Sequence, residues 1–140
     1  MVRILKKSIG ILGGSFDPAH LGHLKISQIA LKKIKLSRIL WIITKQNPFK
    51  DRAFYSLTQR ITKAKKLIKN NKKIQVTHLE KTLRSTRSID AVKYLINKRK
   101  YKNVYFIIGS DNLIKFHKWK SWKKIVKLAK LTVFSRAGYD

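Results

Sequence analysis

Apolar residues along this chain fall into two alternating patterns. Short runs rich in Ile, Val, Leu and aromatic residues occur at Ser8–Leu12, Arg38–Thr44, Lys73–His78, Val104–Ile108 and Leu131–Ser135. A strand wetted on one side would alternate apolar and polar positions, so these runs predict strands buried on both faces. Between them the spacing turns helical. The apolar positions are Leu24, Ile26 or Ser27, Ala30, Leu31 and Ile34, then Leu57, Ile61, Ala64, Leu67 and Ile68. Ile89, Val92, Leu95 and Ile96 follow, and then Trp122, Ile125, Val126 and Ala129. They predict four helices, the second capped by Ser56 or Thr58. Strict alternation of strand and helix predicts an α/β fold, a Rossmann-like three-layer domain with a parallel five-stranded sheet.

No repeat, low-complexity tract or Pro/Gly/Ser linker divides the chain, so residues 1–140 read as a single domain with one hydrophobic core. The one long irregular stretch is Lys45–Tyr55, which carries Asn47-Pro48-Phe49-Lys50-Asp51. Pro48 removes a backbone donor and biases Asn47 away from helix, so the stretch is a loop. It follows the carboxyl end of the second predicted strand, where open α/β sheets place ligands. A plain surface loop and a cover over a substrate both fit that position.

The stretch richest in chemistry runs Gly13-Gly14-Ser15-Phe16-Asp17-Pro18-Ala19-His20-Leu21-Gly22-His23. Adjacent glycines allow positive φ and close approach of a ligand to the backbone. A helix starting near Leu21 aims free N–H groups and the positive end of its dipole at the turn, which suits a phosphate. His20 and His23, three apart, reach the same side of that first helical turn, and Gly22 leaves access open. The stretch matches neither the G-x-x-x-x-G-K-[ST] loop nor the G-x-G-x-x-G fingerprint. Zinc on His20, His23 and Asp17 is the competing reading, with no cysteine to complete the site.

Composition narrows the classes further. An apolar content of 44% is that of a globular protein. No apolar run approaches the roughly 20 residues of a membrane-spanning helix. The basic start is followed by an apolar run too short for a signal peptide, so the expected location is cytoplasmic. Without cysteine there is no disulfide framework or thiolate chemistry. The formal charge of +28 comes from 26 lysines and 8 arginines spread through every segment. Such dispersion fits a lysine-favouring codon bias as well as a nucleic-acid surface, and it favours small polyanionic substrates such as ATP.

The Gly13–His23 stretch resembles the G-G-[ST]-F-[DN]-P-x-H-x-G-H signature of the HxGH nucleotidyltransferase superfamily, most of all the bacterial nicotinate-nucleotide adenylyltransferases. The likeness extends along all 140 residues. Trp41-Ile42-Ile43-Thr44 with Asn47-Pro48-Phe49-Lys50-Asp51 is similar to that family's second strand and substrate loop. Ile107-Ile108-Gly109-Ser110-Asp111-Asn112 is similar to its turn after the fourth strand. Phe116-His117-Lys118-Trp119 and Phe134-Ser135-Arg136-Ala137-Gly138-Tyr139 resemble the later segments.

The resemblance implies in-line attack of a mononucleotide phosphate on the α-phosphorus of ATP, giving nicotinate adenine dinucleotide and pyrophosphate. It implies that His20 and His23 hold the ATP phosphates and that the Gly13, Gly14, Ser15 and Phe16 backbone cradles them. Gly109 and Asp111 would meet the adenosine side. Asn47, Lys50, Ser88, Trp119 and Arg136 would bind the mononucleotide, with Trp119 stacked on its ring, and Mg2+ would arrive with ATP. Plainer readings stay open: Trp119 as core beside Phe116 and Trp122, Asp111 as a helix N-cap, Arg136 as a solvated strand end. The Thr86–Asp90 run is one residue short of the family pattern around Ser88.

Family members carry a further [IS]-S-[ST]-x-[IL]-R signature beyond this point, and nothing like it occurs up to Asp140. The expectation is therefore a nucleotidyltransferase domain lacking the family's C-terminal segment. Losing a helix N-terminus and an Arg that act on phosphate would cost on the order of several kcal/mol in the transition state. The alternatives are transfer to another acceptor such as phosphopantetheine, or a noncatalytic basic domain that binds nucleotide or nucleic acid. Oligomeric state is not legible in the sequence.

Overall fold

The computed structural model describes residues 8–45, 53–77, 79, 83–84, 88–110, 116–118 and 122–134. Five strands form one parallel sheet: β1 (Ser8–Gly14), β2 (Arg38–Ile43), β3 (Ile74–Thr77), β4 (Asn103–Gly109) and β5 (Lys130–Phe134). Their order is β3-β2-β1-β4-β5. Among the described residues four helices connect them: α1 (Leu21–Ile34), α2 (Leu57–Leu67), α3 (Ser88–Asn97) and α4 (Trp122–Leu128). A short 3-10 turn at Phe116–Lys118 precedes α4. Each predicted strand and helix is present, and the expected α/β three-layer architecture holds.

The sheet is covered on both faces, which is why its strands read as continuous apolar runs. Along β2, Leu40 and Ile42 enter one core with Ile89, Val92 and Leu95 of α3 and Ile125 of α4. Ile39, Trp41 and Ile43 point the other way, into a core with Ala30 of α1 and Ala64 of α2. Thus α1 and α2 lie on one face, α3 and α4 on the other. Val126, expected on the buried stripe of the last helix, is 41% exposed. At seven residues, α4 has two turns, and Ile125 with the following Ala129 suffices to cover the sheet beside β5.

Helix ends follow local chemistry. Ser56 caps α2: its hydroxyl accepts from Gln59 N, while the Gln59 side chain accepts from Ser56 N. This reciprocal capping box selects Ser56 over Thr58. At the far end of α1, Lys35 turns left-handed (φ 57°, ψ 45°) and stops the helix before β2.

Candidate active site

The glycine turn departs from expectation in one respect. Gly13 and Gly14 remain in β1, paired with Ile42 and Ile43 of β2, and neither has positive φ. The parallel ladder holds both extended to the end of the strand. The left-handed residue is Phe16 (φ 48°), followed by a cis Asp17–Pro18 peptide. A non-glycine residue there costs roughly 1–2 kcal/mol. The burial of the Phe16 ring, 2% exposed, holds it in place. The glycines still leave room. A Cβ on Gly13 would meet nothing nearer than the Ile42 carbonyl at 3.9 Å, and one on Gly14 only the Phe16 ring at 3.7 Å. The end of β1 is a ledge of bare backbone.

Beyond the turn, α1 starts on two imidazoles. His20 is the N-cap, with extended backbone (φ −142°, ψ 178°), and its Nδ1 accepts from Gly22 N at 3.0 Å. His23 Nδ1 accepts in return from His20 N at 3.1 Å. The two histidines together build a capping box, a role usually filled by Ser or Thr with Glu or Gln. Each Nδ1 is an acceptor, so each neutral ring carries its hydrogen on Nε2. Nε2 of each ring lies across from the nitrogen that the cap uses, at the positive end of the α1 dipole. No acidic residue occupies that first turn. Gly22 permits the arrangement, since a Cβ there would lie 2.7 Å from His20 Cε1 and 2.9 Å from its Nδ1.

Ring stacking fixes the pair. His20 and His23 lie with centroids 4.1 Å apart, His23 lies 4.4 Å from Phe16, and Phe16 stacks on Trp41 at 5.1 Å. Trp41, fully buried in the middle of β2, donates its indole N–H to Ser27 Oγ at 2.8 Å. Ser27 donates in turn to the carbonyl of His23 at 2.9 Å. A column of rings thus runs from the sheet to the exposed imidazole of His20, and a two-step hydrogen-bond chain runs from the same indole to the backbone of His23.

Sheet order puts this assembly at a switch point. From β1 the chain builds outward through β2 and β3, then returns to β4 on the other side of β1. Open α/β sheets bind ligands in the crevice at the carboxyl ends of such strands. Gly14 and Gly109 each lie two residues beyond the paired Leu12 and Ile107, so Gly109 flanks the glycine ledge. Next to it, the Ser110 hydroxyl is buried without a hydrogen-bond partner among the described residues. Ser88, at the first position of α3, lies on the same edge of the sheet but in the opposite helical layer. Asn47, Lys50, Asp111, Trp119 and Arg136 lie outside the described residues. A groove of about 470 Å³ lined by Arg38, Lys69 and Lys72 lies along β3, an edge strand remote from the imidazoles.

Asp17 is tied to the segment that enters α2. Its carboxylate accepts from the backbone N–H of Phe54 and from that of Tyr55, the latter at 2.8 Å. Among the described residues no three His, Cys, Asp or Glu side chains converge.

Arg60 of α2 was not marked by the sequence pattern. It is 2% exposed. Its Nε donates to the Tyr55 carbonyl at 3.1 Å, and one terminal nitrogen to the carbonyls of Ser15 (2.9 Å) and Thr44 (2.8 Å). The other reaches the Lys45 carbonyl at 2.9 Å. Burying a guanidinium costs several kcal/mol, and four charge-assisted bonds at about 1.5–3 kcal/mol each are enough to offset it. A signal was present: Arg60 falls three residues after Leu57 and four before Ala64, inside the apolar stripe.

Residues 11–139 match the family described as cytidylyltransferase-like. The chain is 53% identical over 134 residues to a protein of Pelagibacter ubique named "Probable nicotinate-nucleotide adenylyltransferase", covering 96% of this chain and 74% of that one. A Methylorubrum extorquens protein of the same name is 36% identical over 132 residues, covering 94% of this chain and 71% of its own length. The fold superposes with a TM-score of 0.79 on Plasmodium falciparum nicotinic acid mononucleotide adenylyltransferase in complex with NaAD, at 23% identity over 96% of this chain and 67% of that one.

Proposed function

The chain belongs to the nicotinate-nucleotide adenylyltransferases of the cytidylyltransferase-like family, and from that premise we propose that it moves the adenylyl group of ATP onto nicotinate mononucleotide. An oxygen of the mononucleotide phosphate attacks the α-phosphorus. The bond from that phosphorus to the β-phosphate oxygen breaks, and pyrophosphate leaves with the electron pair. The new phosphoanhydride joins the two nucleotides as nicotinate adenine dinucleotide, a step in NAD biosynthesis. No bond to the protein forms, so catalysis rests on alignment and on stabilising charge.

The observation carrying this reading is the paired Nδ1 acceptance of His20 and His23, which leaves the hydrogen of each ring on Nε2 at a helix N-terminus. Those donors and the positive end of the α1 dipole meet phosphate oxygens as negative charge shifts onto the leaving pyrophosphate. The bare ledge of Gly13 and Gly14, continued by Ser15 and Phe16, lets the triphosphate lie close to backbone. Gly109 and Asp111 take the adenosine side. Asn47, Lys50, Ser88, Trp119 and Arg136 take the mononucleotide. Mg2+ enters with the ATP phosphates, since Asp17, the acidic group of the turn, is held by two amides. Residues 1–140 act as one nucleotidyltransferase domain. No helix among the described residues is long and apolar enough to cross a membrane. The reading takes the cytoplasm, where ATP is supplied, as the compartment of the reaction.

Pyrophosphate release decides the matter when measured with ATP against nicotinate mononucleotide, nicotinamide mononucleotide and phosphopantetheine in parallel. The expected result is release at the lowest acceptor concentration with the nicotinate form. Preference for phosphopantetheine would overturn the acceptor assignment, and failure to bind ATP would overturn the whole reading.

Gly22→Ala supplies a finer check. Ala gains about 0.8–1 kcal/mol over Gly in a helix. Against that, the added methyl would displace the His20 ring from its cap, a loss of about 1 kcal/mol. Stability by urea unfolding should therefore barely change while turnover falls at least tenfold. Unchanged turnover would mean that the position of the His20 ring does not matter.

A further inference from the structure

Arg60 reaches the turn through the Ser15 carbonyl and not through the imidazoles. It collects backbone carbonyls from three separate pieces of chain. Ser15 belongs to the turn after β1, Thr44 and Lys45 follow β2, and Tyr55 immediately precedes the cap of α2. One terminal nitrogen bridges the Ser15 and Thr44 carbonyls, so the glycine turn and the exit of β2 are fixed to a single atom. Two further contacts tighten the same junction: Thr44 N donates to the Gly14 carbonyl at 2.9 Å, and Asp17 receives the amides of Phe54 and Tyr55. Along the chain, Lys45 and Tyr55 lie on either side of Asn47 and Lys50. Arg60 therefore ties the exit of β2 and the entry of α2 to the turn beside the imidazoles.

We propose that Arg60 is a positioning residue, setting the exit of β2 and the entry of α2 in register with the turn that carries ATP. The proposal rests on the adenylyl-transfer reading for what the two pieces hold. The clamp itself rests on the four bonds alone. In-line attack requires the acceptor oxygen and the α-phosphorus to be held within a fraction of an ångström of the productive separation. A planar guanidinium donates along fixed directions to several carbonyls at once. An ammonium, being a point charge, does not. The expected signature is a loss in the chemical step, with ATP binding retained, because the glycine ledge and the helix start are built by β1 and α1 without Arg60.

The test uses the full chain with Arg60→Lys and Arg60→Met, read by amide hydrogen exchange and by steady-state kinetics. In both variants the amides of Thr44, Phe54 and Tyr55 should exchange at least tenfold faster, while those of Ile39–Trp41 and Phe106–Ile108 stay within threefold of the wild type. In Arg60→Lys, kcat should fall at least thirtyfold with KM for ATP within threefold. The clamp is overturned if the three amides keep their protection, or if the sheet amides lose theirs in both variants, since Arg60 would then merely hold the fold together. The positioning role is overturned if kcat stays within threefold despite faster exchange, or if KM for ATP rises as much as kcat falls. Should wild-type protein transfer nothing to any acceptor, the adenylyl-transfer reading fails, and the exchange measurement still judges the clamp.

Discussion

His20→Asn and His23→Gln are each expected to lower kcat for adenylyl transfer by about 10²–10³-fold, the loss seen when one preorganised donor to a developing charge is removed. These substitutions are chosen because both histidines also cap α1. Asn is a strong N-cap, and Gln at the third helical position completes a capping box, so each replacement can keep the backbone contact while removing the Nε2–H. His20→Ala loses both functions and should in addition cost about 1 kcal/mol of stability. Pyrophosphate release measures the first effect and the urea midpoint the second. Were His20→Asn as active as the wild type while His20→Ala was not, the imidazole would be a cap only, with no part in the transfer.

Trp41→Ala should produce the largest loss of stability. The indole is fully buried between Phe16 and Ser27, and aromatic-to-alanine changes in such settings cost about 3–5 kcal/mol. Set against a typical total of roughly 5–15 kcal/mol, that is enough to unfold a fraction of the protein at physiological temperature. Trp41→Phe separates the terms. It keeps much of the ring stack but leaves Ser27 Oγ without its donor, for a loss of about 1–3 kcal/mol. Equal urea midpoints for Trp41→Phe and wild type would show that the chain through Ser27 to His23 adds nothing to the position of α1.

Periodicity and turn chemistry made most of the fold legible. The strand runs were found because both sheet faces are dry, so β1, β2 and β4 needed no alternation to reveal them. His20 and His23 were legible as a pair because the glycine turn, the helix start and the three-residue spacing all indicate one place. What the pattern missed follows from the information it uses. A double glycine signals permission for positive φ, but here the ladder to Ile42 and Ile43 imposes extension and passes the left-handed step to Phe16. Counting apolar residues hides Arg60, since a charged side chain is taken as solvated unless its partners are known. Those partners are carbonyls 15 to 45 residues upstream, apart from the nearby Tyr55. The spacing of His20 and His23 likewise gave no sign that their Nδ1 atoms were committed to amides, which is what leaves the hydrogen of each ring on Nε2.

The return of the chain to β4 has a consequence for how this protein comes off the ribosome. β1 occupies the centre of the sheet, yet Asn103, which pairs with Ser8, is made 95 residues later. At about 5–20 residues per second, β1 spends some 5–20 seconds with one ladder edge open. During that interval an apolar strand edge is exposed to neighbouring nascent chains, and non-local parallel pairing is itself slow to form. The layout that creates the nucleotide crevice thus leaves the central strand open to aggregation while the chain is being made.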